Sequence, residues 1–230
     1  MIPTTGSFRS YLVELIVVFV GVAMAFAVEN LREDLNERAV GEQYLEGFRS
    51  DLLADREMLR AAQNSRRAQL QNALTVLEYF DGRPIDPQHF FEAFYPAIFD
   101  YYTAPNRNTM DEVLSSGSLR LISDSEIRSQ LLQLYVTYDR IARAEEHMAR
   151  DFDVYLYDPT FSSIAIDLNG PWQDTPSNRR AAEILLNDLR VENGFQLIVA
   201  NLDFAESGIL AELDLVQSQV EQLLELIPSR

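Results

Sequence analysis

An eighteen-residue run, Tyr11–Val28 (YLVELIVVFVGVAMAFAV), constrains this chain more than any other feature. As a helix it spans about 27 Å, close to the hydrocarbon thickness of a bilayer. Glu14 is its single charge, and Tyr11 stands at one end, where an interfacial aromatic belongs. The run predicts one transmembrane helix. Its rival is a secretory signal, with Arg9 as the basic region and Ala23-Met24-Ala25 or Ala25-Phe26-Ala27 as a cleavage site. The apolar run continues without a break into helix-favouring sequence, which favours an anchor. The expected organisation is a tail at 1–10, a transmembrane helix at 11–28 and an acidic helical domain at 29–230.

The span carries a stripe. At about 100° per residue, Glu14, Gly21 and Ala25 share one line, with Val18 and Val28 beside it. Gly21-x-x-x-Ala25 permits close approach of a second membrane helix. A carboxylate on that line is costly in lipid unless it finds a partner or reaches the interface. Two readings stand: Glu14 reaches the headgroups near the helix start, or all five residues face another membrane helix. Basic residues are nearly balanced across the span, Arg9 before it and Arg32 and Arg38 after it. The short tail and the acidic bulk lean towards a cytoplasmic N-terminus and a periplasmic domain at a bacterial inner membrane.

Net charge is −17, and every basic residue is Arg. That argues against nucleic-acid binding, which needs a basic stripe, and against the domain lying on anionic lipid. With no Cys in the chain, disulfides, thiolate catalysis and Cys-ligated metals are excluded.

Beyond the span the periodicity is helical and no alternating strand pattern occurs, so the fold is expected to be all-α, the membrane helix continuing into a bundle. From Glu29 to about Phe80 apolar residues recur at three, four and seven; Gly41 and Gly47 are places where this helix could bend. Asp55, Arg66 and Gln69 fall on the seam, which predicts a bundle helix with a polar interior rather than a coiled coil. DGRPIDP is turn chemistry, and Pro87 after Asp86 suits a helix start. The segment that follows concentrates aromatic residues. Phe90, Phe91, Phe94 and Tyr95 read either as core filling or as a partner-binding or membrane-interface patch. Thr109-x-x-Glu112 and Ser123-x-x-Glu126 are capping boxes, predicting a short helix up to Gly117 and a long one over 124–155. A loop is expected over 158–178, a helix over 179–189 and a single last helix over 195–227.

Three blocks, VELIVVFVGVAMAFAVENLRE at 13–33, YLEGFRSDLLADREML at 44–59 and TMDEVLSSGSLRLISDSEIRSQLLQLY at 109–135, are similar to a family of uncharacterised bacterial single-pass membrane proteins, a domain of unknown function. They cover somewhat under a third of the chain. The chain departs from that family's pattern at Leu31, where an aromatic residue is expected. The resemblance implies an anchor and a helical domain. It implies no activity.

No nucleotide loop, nucleophile elbow or calcium-loop pattern is present. His147 and Asp151 stand one helical turn apart, a metal-compatible spacing, but Ala144 occupies the place of the acid that a Glu-x-x-His motif needs. No catalytic, cofactor or metal residue is assigned from the sequence. The leading expectation is a non-enzymatic accessory or scaffold subunit packing against other membrane protein subunits, in a respiratory or photosynthetic type of complex, with self-association open. A ligand sensor using a pocket at the aromatic segment is the first alternative. A tethered hydrolase or metalloenzyme around His147 is the second.

Overall fold

A computed structural model describes residues 6–156, 174–205 and 207–228. They form an all-α fold with no strand among them. Helix α1 (Gly6–Phe80) is followed by α2 (Pro87–Ala97), α3 (Asn108–Ser115), a 3-10 turn (Ser118–Leu121), α4 (Ser125–Tyr155), α5 (Pro176–Leu186), α6 (Leu189–Asp203) and α7 (Ile209–Leu226).

Helix α1 is one uninterrupted element of 75 residues, about 112 Å long. It already includes the described end of the expected N-terminal tail. The span from Tyr11 to Val28 is exposed throughout, and it is the one described stretch long and apolar enough to cross a membrane. A charged stalk of about 18 Å follows over residues 29–40. Burial begins only at Gly41. Neither glycine breaks the helix. A Cβ on Gly41 would lie 2.2 Å from the Leu121 carbonyl oxygen, and one on Gly47 2.9 Å from the Thr109 hydroxyl. Both are points of close approach, not hinges.

Named contacts fix the directions. Tyr138 meets Asp55 and Glu145 meets Arg66, so α4 runs parallel to α1. Asn201 meets Asp151 and Glu212 meets Arg140, so α6 and α7 run antiparallel to α4. Helices α6 and α7 both pack on α1 and on α4. Laid end to end they reach about as far as α4 does. The single last helix expected from periodicity is therefore two helices. The chain breaks after Asp203, where Phe204 leaves helical geometry and Ala205 adopts a φ of +45°. The core runs through Phe48, Leu59, Leu131, Ile141, Phe195 and Val216, all essentially inaccessible to water.

The starts of α2, α4, α5 and α6 follow short polar side chains. Asp86 accepts from the amides of Gln88 and His89, with Pro87 in the first turn as expected. At α4 the cap is Asp124, one residue past the expected Ser123, and it accepts from the Glu126 and Ile127 amides. The box at Thr109 does not form: α3 starts at Asn108, and the Thr109 amide donates instead to Asp51 of α1. Gly117 closes the α3 segment with a φ of +68°, a left-handed stop.

Candidate functional site

The polar seam expected on α1 is real, and the structure shows what it is for. The segment linking α2 to α3 has no regular structure, yet it lies against α1 and α4. Where such a half-exposed coil is pressed against helices, its amides and carbonyls lose water and need other partners. Side chains of the seam do this in antiparallel order. Gln69 donates to the carbonyls of Ala97 and Phe99, at 2.9 and 3.0 Å. Arg66 donates to the Tyr101 carbonyl at 2.6 Å. Asp55 accepts from the Asn106 amide at 2.8 Å, and Asp51 accepts from Thr109 at 3.1 Å.

Helix α4 holds the other side of this strap. Glu145 accepts from the Thr103 amide at 2.9 Å and from its hydroxyl at 2.8 Å. It also pairs with Arg66 at 2.7 Å, both side chains almost wholly buried. Gln69 takes a further bond from Arg66. Tyr138 donates to Asp55 at 2.8 Å, and Tyr135 donates to the Asn106 carbonyl at 3.1 Å. Burial pushes the Asp55 carboxyl above its ordinary 3.8; the Asn106 and Tyr138 donors oppose that, and Asp51 adds to it. Burial, then the charge of Asp55, pushes both tyrosines up as well. These groups are consumed in holding the strap. The sequence pattern located Asp55, Arg66 and Gln69; Glu145 and Tyr138, on an otherwise ordinary amphipathic helix, gave no comparable signal.

The aromatic segment is interior. Phe90, Phe91 and Phe94 are buried, with ring centroids 5.1 to 6.4 Å apart, and Phe94 lies 5.1 Å from Phe195 of α6. Tyr95 is partly buried against the same cluster. Of the two readings, core filling is the one realised. The patch expected at the surface is corrected to a packed interior, because α2 needs its wide apolar face to hold α1, α5 and α6 together.

His147 is exposed on α4, 3.8 Å from Asp151. Asp151 is also bonded to Asn201. Among the described residues no group of three or more His, Asp or Glu could hold a metal. His89 Nδ1 lies 3.0 Å from the Tyr79 hydroxyl, at the edge of the aromatic cluster.

Glu14, Val18, Gly21, Ala25 and Val28 are all exposed on the projecting part of α1, and a Cβ on Gly21 would meet nothing within 4 Å. Farther along the same helix lies a groove that sequence reasoning missed. Two cavities of about 460 and 380 Å³ share Glu42, Leu45 and Ser123. One wall is α1, including Arg38, Arg49 and Leu53; the other is made by Leu121, Ser123 and Pro228. Arg49 holds the far end in place, donating to the carbonyls of Leu224 and Ile227 at 3.0 and 2.7 Å. No family model, no curated protein and no solved structure matches this chain.

Proposed function

We propose that this chain is a non-enzymatic, membrane-anchored accessory or scaffold subunit that packs against a larger membrane protein complex and stabilises it. One observation carries this reading: a single helix is both the membrane-sized apolar element and the central core helix of the bundle. An uninterrupted helix fixes the height and the rotational setting of the domain relative to the bilayer, which is what a spacer or brace requires. A chain that needed its domain free would carry a Gly- or Pro-rich joint after the span. Residues 29–40 contain neither.

The inner membrane of a bacterium, with the domain in the periplasm, is the setting that the acidity of the domain favours. The ligand-sensor alternative relied on a pocket at Phe90, Phe91, Phe94 and Tyr95. Those rings pack against one another, which favours the accessory-subunit reading over that alternative.

The test is recovery of the protein from native membranes in mild detergent, with mass spectrometry of what accompanies it. Stoichiometric recovery with one defined complex is the expected result. Recovery of the chain alone, or only with copies of itself, overturns the reading.

A further inference from the structure

Along α1, Glu14, Gly21, Val28, Leu35, Glu42 and Arg49 follow one another at every seventh residue. Val17, Met24, Leu31, Arg38 and Leu45 do the same between them. Alternating steps of three and four are the seam of a two-helix, left-handed supercoil. On a straight helix such a line drifts by about 20° per heptad. The drift carries it out of the membrane stripe, along the stalk and into the groove beside α1, since Arg38, Glu42, Leu45 and Arg49 all line that groove. On the stalk the line consists of Leu31, Leu35 and Arg38, the two leucines 60% and 57% exposed on a largely charged helix. The bundle attaches mainly through Gly41, Phe48 and Leu59; it leaves the line exposed from Glu14 to Leu35, while Leu45 and Arg49, farther along, are partly covered by it.

The geometry points to a docking track for one α-helix of a different membrane protein. That helix lies beside α1 in the bilayer, follows Leu31 and Leu35 through the stalk, and ends in the groove. This rests on the accessory-subunit reading and adds to it the face used and the kind of partner. Glu14 to Leu53 is about 58 Å of helix, the length over which the partner would follow α1. A second copy is the wrong occupant. Identical spans insert the same way, so self-pairing is parallel and in register, and it sets Glu14 on Glu14 and Arg38 on Arg38. Like charges in facing layers disfavour that pairing. Charge complementarity instead asks for a helix apolar at the same three-four spacing. It carries a hydrogen-bond donor or cation level with Glu14, where a lone carboxylate in lipid is costly. It carries Lys or Arg level with Glu46, on the rim of the groove, where Arg49 is engaged by carbonyls.

The chain lacks Cys, so a single introduced thiol is unique. Leu31→Cys, Leu35→Cys and Glu46→Cys mark the track, and Glu33→Cys marks the opposite side of the stalk. Each full-length variant, in its native membranes, is labelled with a thiol-directed benzophenone, illuminated and mapped by mass spectrometry. The expected result is capture of one foreign membrane helix by all three track positions. Adduct sites from Leu31 and Glu46 should lie about fifteen residues apart on one face of it, as paired helices require. Glu33→Cys should give background only. Oxidation of the Leu31 or Leu35 variant to a disulfide homodimer overturns the proposal. Equal capture from Glu33, or captured sites scattered over loops, overturns it too. Absence of adducts in a chain that still co-purifies with its complex overturns the track and leaves the accessory role standing. Absence of both adducts and co-purifying partners removes the two together.

Discussion

Arg66 and Glu145 sit at the centre of the domain with almost no access to water. A buried pair of this kind adds little net stability, because desolvating both charges offsets most of their attraction. Removing one partner is another matter. Arg66→Met leaves Glu145 charged, buried and short of a donor, and frees the Tyr101 carbonyl. A loss of about 3–5 kcal/mol is expected by denaturant unfolding in detergent. The double variant Arg66→Met/Glu145→Leu should recover part of that loss, though not the bonds to the strap; an additive double variant would contradict the pairing. Asp55 gives a second, pH-dependent expectation. Its folded pKa lies above its ordinary 3.8, with burial the largest cause, so the fold binds that proton more tightly than the unfolded chain does. The stabilisation is full below 3.8 and is lost as pH rises through the raised folded value. In Asp55→Asn this loss between acid and neutral pH should be absent. An unchanged pH profile of unfolding would show that Asp55 titrates normally.

At the scale of elements, α1 depends on glycine where it meets the 3-10 turn. Gly41→Ala places a methyl group against the Leu121 carbonyl, a backbone atom that cannot swing aside. A destabilisation of about 1–3 kcal/mol is expected, read as a lowered melting temperature. Gly21→Leu is the contrast: nothing surrounds it within the chain, so the domain should melt unchanged while partner recovery falls. Wild-type recovery with Gly21→Leu would count against the membrane stripe. These elements differ in how far the sequence disclosed them. The all-α class, the polar seam and the Asp86-Pro87 start were legible because each depends on local periodicity or local capping. The break at Phe204 was not, since apolar spacing resumes at Ile209 nearly in phase and the interruption is a backbone event at Ala205. The amide of Thr109 was misassigned for a related reason. A capping box is a local option, and Asp51, fifty-eight residues away, supplied a competing acceptor. The aromatic segment was ambiguous because composition records apolar area and not which side of a helix is covered.

For the whole molecule, the decisive point is that, among the described residues, the apolar span and the core share a helix but share no contacts. Every buried residue of α1 lies at or beyond Gly41, and the span and the stalk are exposed from Tyr11 to Asn36. The energy that folds the bundle therefore comes from packing that the span does not touch. Tolerance to truncation follows from burial of the affected backbone rather than from position in the chain. A chain beginning at Glu29 is thus expected to fold without detergent and to melt within a few degrees of the full-length domain. Its circular dichroism should remain helical, and only membrane attachment and partner recovery should be lost. Aggregation, or a clearly lowered melting temperature, would show that the span contributes to the fold itself. The same separation defines what the continuous helix can transmit. With no packing between span and bundle among the described residues, a displacement of the span reaches the domain as a shift or rotation of α1, along the side that carries Asp51, Asp55, Arg66 and Gln69 to the strap. Glu33→Pro should interrupt that path, since proline removes a helical hydrogen bond and kinks the stalk. The domain should keep its stability and yet lose its fixed setting. Spin labels placed on the stalk below the kink and on α4 should then give a broadened distance distribution in place of a narrow one.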